Sequence, residues 1–249
     1  MKFSQYPYSR VDIDAFKSKY ASLTQRVAGA GCAEDIFSCM DEHEKLFSHA
    51  MSMLTIANIR NTIDTRDEFY AAEKAFEDEN GPVMEEACQG FLRALYESPF
   101  REALEKKYGE LLFTNIAISL KTFDPSIVEL LQEENTLTTR YTALIAGARI
   151  PFDGKTLTMA QLGPYKIDRD RDVRRAAYCA EGGFIKENAD RLDEIFDSLV
   201  SVRSRIAEKL GEKSFVDVAY NRNGRNCYGR SDVESFRSQV IRDIVPVVG

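Results

Sequence analysis

His43 and His49 are the only imidazoles in the chain. On a helix, at roughly 100° per residue, they point about 240° apart around the axis and cannot grip one ion together. His43 lies between Glu42 and Glu44, where a solvated or paired imidazole is expected. The cysteines stand at 32, 39, 88, 179 and 227 with no Cys-x-x-Cys among them. An odd set at such spacings supports neither a disulfide framework nor a zinc knuckle, and no cysteine has an adjacent base to make it a nucleophile. All five are read as reduced thiols.

The charged runs offer other chemistry. Asp190, Asp193, Glu194 and Asp197 share one helical face, a spacing from which helical bundles build di-metal sites. Those sites also use Glu-x-x-His pairs, and no histidine is near, so a solvated acidic stripe is expected. Glu77-Asp78-Glu79 lacks the ligand spacing of a calcium loop. Asp168 to Arg175 alternates four Arg with three Asp, the pattern of a solvated helix start rather than a phosphate clamp. Asn221 to Arg230 is a polar turn with three Arg, two Gly and a Tyr, read as a connector, and no phosphate-loop glycine pattern occurs. These patterns name no catalytic residue and no metal ligand, and they leave substrate-binding residues unassigned.

A net charge of −7 and a pI near 5.1 disfavour nucleic acid as a partner, because phosphates would be repelled. Hydrophobic residues at 44% with 29% charged describe a soluble globular chain. No apolar run approaches the about 18 residues of a membrane span, and Leu111 to Leu120 is interrupted by Thr114, Asn115 and Ser119. Met1 to Pro7 lacks an apolar leader. A cytoplasmic protein with no membrane partner is expected.

The elements that would position any site are helical, with one exception. Asp153-Gly154 between Ala148–Phe152 and Lys155–Thr158 predicts a β-hairpin, since a type I′ turn needs positive φ at both central residues. Pro151 suits an edge, and so short a ribbon must pack on helices. Thr158 and Gln161 fit a capping box for a short helix ended by Gly163-Pro164, and Asp168 or Asp170 caps the helix after it.

Before the hairpin, Ser9 to Asp12 has capping-box spacing ahead of a stripe of Ile13, Phe16, Tyr20, Leu23 and Val27. A second helix runs from about Ala33 to Asn61 with Ile36, Met40, Phe47, Met51 and Leu54 inward. A third follows from Thr65 to Leu95, with Asn80-Gly81-Pro82 as a kink or break. Ser98-Pro99 and Asp124-Pro125 each read as cap plus first-turn proline. After the hairpin, helices span about 171–186 and 190–210, with Gly182-Gly183 as a kink or separator between them. Ser214 caps a short helix. A last capping box, Ser231 to Glu234, precedes a stripe of Val233, Phe236, Val240, Ile244 and Val248. The fold class is therefore mainly α, a multi-helix array with one hairpin near 148–158. That stripe runs into Gly249 without a polar end, so a chain cut at 249, continuing in the whole protein, is expected.

The run RIPFDGKTLTMAQLGPYKIDRDRDVRRAAY, with the later KLGEKSFVDVAY and SDVESFR segments, resembles the N-terminal half of M3-family zinc oligopeptidases of the oligoendopeptidase F type. The resemblance covers most of the chain, loosely before about Asn135 and closely from there to Arg237. It implies residues 1–147 as an N-terminal helical region and 148–249 as the hairpin and helices that begin the peptidase domain. It further implies a zinc metalloendopeptidase whose His-Glu-x-x-His site, with a later Glu, lies in a C-terminal catalytic half that is missing here. The helical region would form one wall of a channel admitting short peptides, and the chain alone would bind no zinc and be inactive. The alternative is a freestanding all-helical binding or scaffold protein without peptidase activity.

Overall fold

The computed structural model describes residues 2–248. It is mainly helical, 79% of the residues. The helices are α1 (Ile13–Ala28), α2 (Ala33–Ile63), α3 (Glu68–Tyr96), α4 (Arg101–Tyr108), α5 (Glu110–Thr122) and α6 (Val128–Ala146). Strands β1 (Ile150–Phe152) and β2 (Lys155–Leu157) follow. The chain then continues through α7 (Gly163–Lys166), α8 (Arg171–Glu187), α9 (Ala189–Lys209), α10 (Phe215–Arg222), α11 (Arg230–Gln239), a π-helical turn at Val240–Ile244, and α12 (Val245–Val248). No helix among the described residues is long and apolar enough to cross a membrane.

The chain divides into two compact units. One comprises Met1–Ile13, Glu44–Val83 and Glu129–Arg203, the other Asp14–His43, Met84–Val128 and Ser204–Gly249. In the second, Phe16, Tyr20 and Phe91 are buried. Tyr20 lies 4.6 Å from Phe16 and 6.0 Å from Phe91, centroid to centroid, and His43 stacks on Phe91 at 4.8 Å.

In the first unit β1 and β2 pair antiparallel, Ile150 opposite Leu157 and Phe152 opposite Lys155. Asp153 and Gly154 have φ of 51° and 68°, the positive pair that the turn demands. Period-two alternation turns Ile150 and Leu157 inward against Leu162 and Ala177, with Phe152, Tyr165 and Phe184 beside them. Burial of each such aliphatic side chain contributes roughly 1.5–3 kcal/mol, which is what allows a two-stranded ribbon to persist. Thr158 and Gln161 cap one another as expected, the Gln161 amide donating to the Thr158 hydroxyl and the Thr158 amide to Gln161 Oε1.

Several local expectations give way to tertiary packing. α3 is not broken at Asn80-Gly81-Pro82 and carries Pro82 inside it. Proline leaves the carbonyl four residues back without its helical donor. Here Asn135 of α6 donates its Nδ2 to the Asp78 carbonyl at 3.2 Å, and Gln132 donates to the Glu79 carbonyl at 2.7 Å. Gly163 closes the 3₁₀ turn Ala160–Leu162 as expected, its amide donating to the Ala160 carbonyl, and with Pro164 it also opens α7, because a first-turn proline lacks only an amide that has no helical partner anyway.

α8 passes through Gly182-Gly183 and ends at Asn188. Ser9 points its amide and hydroxyl at the Met53 sulfur, so α1 starts later, at Ile13. The last long helix is capped by Gly229, whose amide donates to Asp232, and not by Ser231. On α2, Ile36 and Leu54 are inward as expected, whereas Phe47 and Met51 are exposed. Cys39, Ala50 and Ala57 are buried instead, since close helix packing favours small side chains at the contact. The stripe on α11 and beyond faces outward, with Phe236 64% and Val248 80% exposed.

The segment before α1 is fastened to α3 by Glu73. Its side chain, 3% exposed, accepts both Arg10 Nε contacts at 3.0 and 3.1 Å and the Tyr8 hydroxyl, while Arg10 lies over the Phe76 ring. Hydrogen bonding from Arg10 holds the Glu73 carboxyl below its usual range, and burial, then Glu73, raises the Tyr8 phenol.

Two measurements check these contacts. Asn135→Ala should lower the urea-unfolding free energy by about 1–3 kcal/mol by stranding the Asp78 carbonyl. In a Pro82→Ala background, where residue 82 regains a donor, the cost should fall below about 1 kcal/mol; equal costs in both backgrounds would refute the repair. For Glu73, a folded value below the unfolded one adds stability that is present above the unfolded value, about 4.3, and lost as pH falls through the folded value. The urea midpoint should therefore drop less between neutral pH and pH below about 4 in Glu73→Gln than in the parent protein.

Candidate functional site

Several residues that could carry chemistry have a structural occupation, and others stand exposed. His43 Nδ1 lies 2.8 Å from the Tyr20 hydroxyl and its ring is stacked on Phe91. His49 is exposed on α2. Among the described residues no three His, Cys, Asp or Glu side chains gather as a metal ion would require. The two imidazoles do not fit a shared zinc ion: one is engaged by a buried phenol, and the other stands six residues along the same helix.

All five cysteines are free thiols, with Cys39 and Cys88 buried. Burial pushes the Cys88 thiol up to about 11, which keeps it protonated and poorly nucleophilic at neutral pH.

The acidic stripe of α9 is solvent-exposed at Asp190, Asp193, Glu194 and Asp197, and Glu194 pairs with Arg140 of α6 at 3.2 Å. Within the Glu77-Asp78-Glu79 run, Lys74 reaches Glu77 at 3.1 Å and Asp78 at 2.8 Å, a one-turn ion cluster on α3. Asp170 caps α8 by accepting the Asp172 amide. Arg174 donates to the Asp168 and Arg169 carbonyls, so this charged run organises a helix start. In the 221–230 turn Arg225 lies 4.5 Å over the Tyr220 ring, and Asn226 donates to Asn115 at 2.8 Å. That turn is held against α5 and α10 by its side chains.

A concave feature that no local pattern announced lies where α6 ends and α8 meets α9. It is a cleft of about 580 Å³ whose lining includes Arg140, Arg149, Arg191, Glu187, Phe184 and Ile195. Gly147 also lines it and closes α6: a Cβ there would stand 2.7 Å from the Ala143 carbonyl oxygen. A second cleft of about 530 Å³ runs between α3 and α6, lined in part by Ala71, Ala75, Thr136 and Thr139, and it shares Arg140 and Ala143 with the first. Arg140, Arg149 and Arg191 are too far apart in sequence for any spacing rule to group them. The Asp-Gly hairpin that anchors Arg149 was the one signal pointing to this region.

A sequence profile described as the Peptidase M3 N-terminal domain matches residues 3–123. Pz peptidase A, solved with an inhibitor, superposes with a TM-score of 0.95 at 43% identity over 99% of this chain and 44% of its own. A protein assigned as oligoendopeptidase F from Bacillus anthracis gives a TM-score of 0.95 at 38% identity, over 99% of this chain and 45% of its own. A further oligoendopeptidase F structure gives 0.95 at 41% identity. No curated protein sequence matches. The chain thus spans less than half the length of these solved proteins. With its helices and single hairpin in the same arrangement, the chain belongs to the M3 peptidase family and corresponds to the N-terminal half of its oligoendopeptidase F-type members.

Proposed function

We propose that this chain is the non-catalytic N-terminal portion of a zinc metallo-oligopeptidase that hydrolyses short peptides in the cytoplasm, and that it forms part of the wall of the substrate channel. The observation that carries the reading is the match to Pz peptidase A at 43% identity across 99% of this chain and under half of that one. Zinc supplies the Lewis acid and the activated water of such hydrolysis. In this reading its ligands belong to the remaining length of the protein, in keeping with two imidazoles here that cannot share one ion. Residues 1–147 then serve as the helical wall and 148–249 as the start of the peptidase domain.

The apolar residues left in solvent support a large covalent partner. Phe196, Phe236, Ile241, Val247 and Val248 are each 64–82% exposed. Exposed apolar surface of this kind marks an interaction site.

The 249-residue protein should show no chelator-sensitive cleavage of a quenched fluorogenic oligopeptide. Adding a polypeptide equivalent to the remaining length of Pz peptidase A should restore cleavage, and Phe236→Asp with Ile241→Asp should lower the restored rate by about tenfold or more. Chelator-sensitive turnover by the chain alone would sink the reading.

A further inference from the structure

The cleft at the α6, α8 and α9 junction holds an imbalance of charge. Arg140 is matched by Glu194 at 3.2 Å. Arg149 directs Nη1 to neutral backbone oxygens, the Gly147 carbonyl at 3.4 Å and the Ala148 carbonyl at 2.9 Å. Arg191 reaches the Asn188 side-chain oxygen at 3.4 Å. Among the described residues neither Arg149 nor Arg191 forms an ion pair; the acid that acts on Arg149 from outside the lining is Asp64, already paired with Arg66 at 3.0 Å. Against those two guanidiniums the lining sets one further acid, Glu187. Beside the charges lies an apolar floor, with Ile195 buried and Phe184 half-buried.

We propose that this cleft binds an organic carboxylate carrying an apolar neighbour, namely the C-terminal carboxylate of a short peptide. A guanidinium's planar fork matches a carboxylate with two parallel hydrogen bonds. The apolar floor fits a terminal aliphatic side chain. The adjoining cleft along α6 shares Arg140 and Ala143 and is walled by the small residues Ala71 and Ala75, which gives the rest of an extended chain a place to lie. A bare inorganic anion would use the arginines and leave the floor and the second cleft empty. That the carrier is a peptide rests on the peptidase reading; that the cleft takes a carboxylate does not.

The test is isothermal titration of the protein with three probes: an N-acetylated tripeptide ending in leucine, the same peptide as its C-terminal amide, and inorganic phosphate. The free acid should bind about tenfold or more tightly than the amide, and Arg149→Gln or Arg191→Gln should each weaken the acid about tenfold. Circular dichroism must show both variants folded, and Arg149→Lys, which keeps charge but loses the fork, should fall between parent and Gln. Equal binding of acid and amide, or unchanged binding in the folded Gln variants, overturns the proposal. Phosphate binding tighter than the tripeptide acid overturns the organic class. Peptide binding that survives both Gln variants removes this cleft and leaves the peptidase reading standing. Failed reconstitution of cleavage removes that reading and leaves carboxylate binding here intact.

Discussion

A backbone carbonyl without its helical donor is the constraint on which much of the first unit depends. Pro82 inside α3 denies Asp78 the amide that would close its turn. A buried carbonyl left bare costs about 1–3 kcal/mol, so the helix continues only if another group donates. That donor is Asn135, with Gln132 one carbonyl further on, and both sit on α6. The repair therefore fixes the height and rotation of α6 against α3. On its other side α6 is tied to α9 through Glu134 and Arg203 at 2.7 Å, and through Arg140 and Glu194. One helix held on two sides by polar contacts is what sets the clefts along it, because polar contacts specify register where apolar packing tolerates sliding.

This division between local and distant causes explains what the sequence could show. The Asp-Gly turn, the Thr158–Gln161 reciprocal cap, the Asp124 and Asp170 caps and the Ser214 cap all act within four residues. Each appears in the structure where its residues stand. The readings that changed involve partners far away in the chain. Pro82 reads as a kink or a break, and α3 runs on through it with the help of Asn135, 53 residues later. Ser9 reads as a cap because nothing nearby reveals the Met53 sulfur that takes its donors. Gly182-Gly183 reads as a kink or a separator, yet α8 continues through both, since a helix tolerates glycine at about 1 kcal/mol each. Apolar spacing puts Phe47 and Met51 on the inward face of α2, while the burial there goes to Ala50 and Ala57.

The family was legible because its pattern is a succession of such local devices: the FDGK turn, the T-x-x-Q cap and the aspartate-capped helix that follows. The arginine cleft was not. Arg140 stands within α6, Arg149 leads into the hairpin and Arg191 lies in the first turn of α9, so only the folded chain brings them to one cavity. Charge clusters assembled in this way leave no periodic trace.

Two of the groups suited to bond-making chemistry are engaged in the packing. The His43 imidazole is bound by Tyr20 and covered by Phe91, and the Cys88 thiol is kept protonated by burial. What the chain presents outward is of another kind: guanidiniums beside an apolar floor, and a run of exposed hydrophobic side chains from Phe236 to Val248. Guanidiniums hold and orient a carboxylate without changing it, and an apolar helix face gains free energy only when something covers it. Shape and charge are what these two surfaces offer, and both act by holding a partner in place. Orientation of a substrate is itself a catalytic asset when the reacting groups are supplied by the rest of the protein.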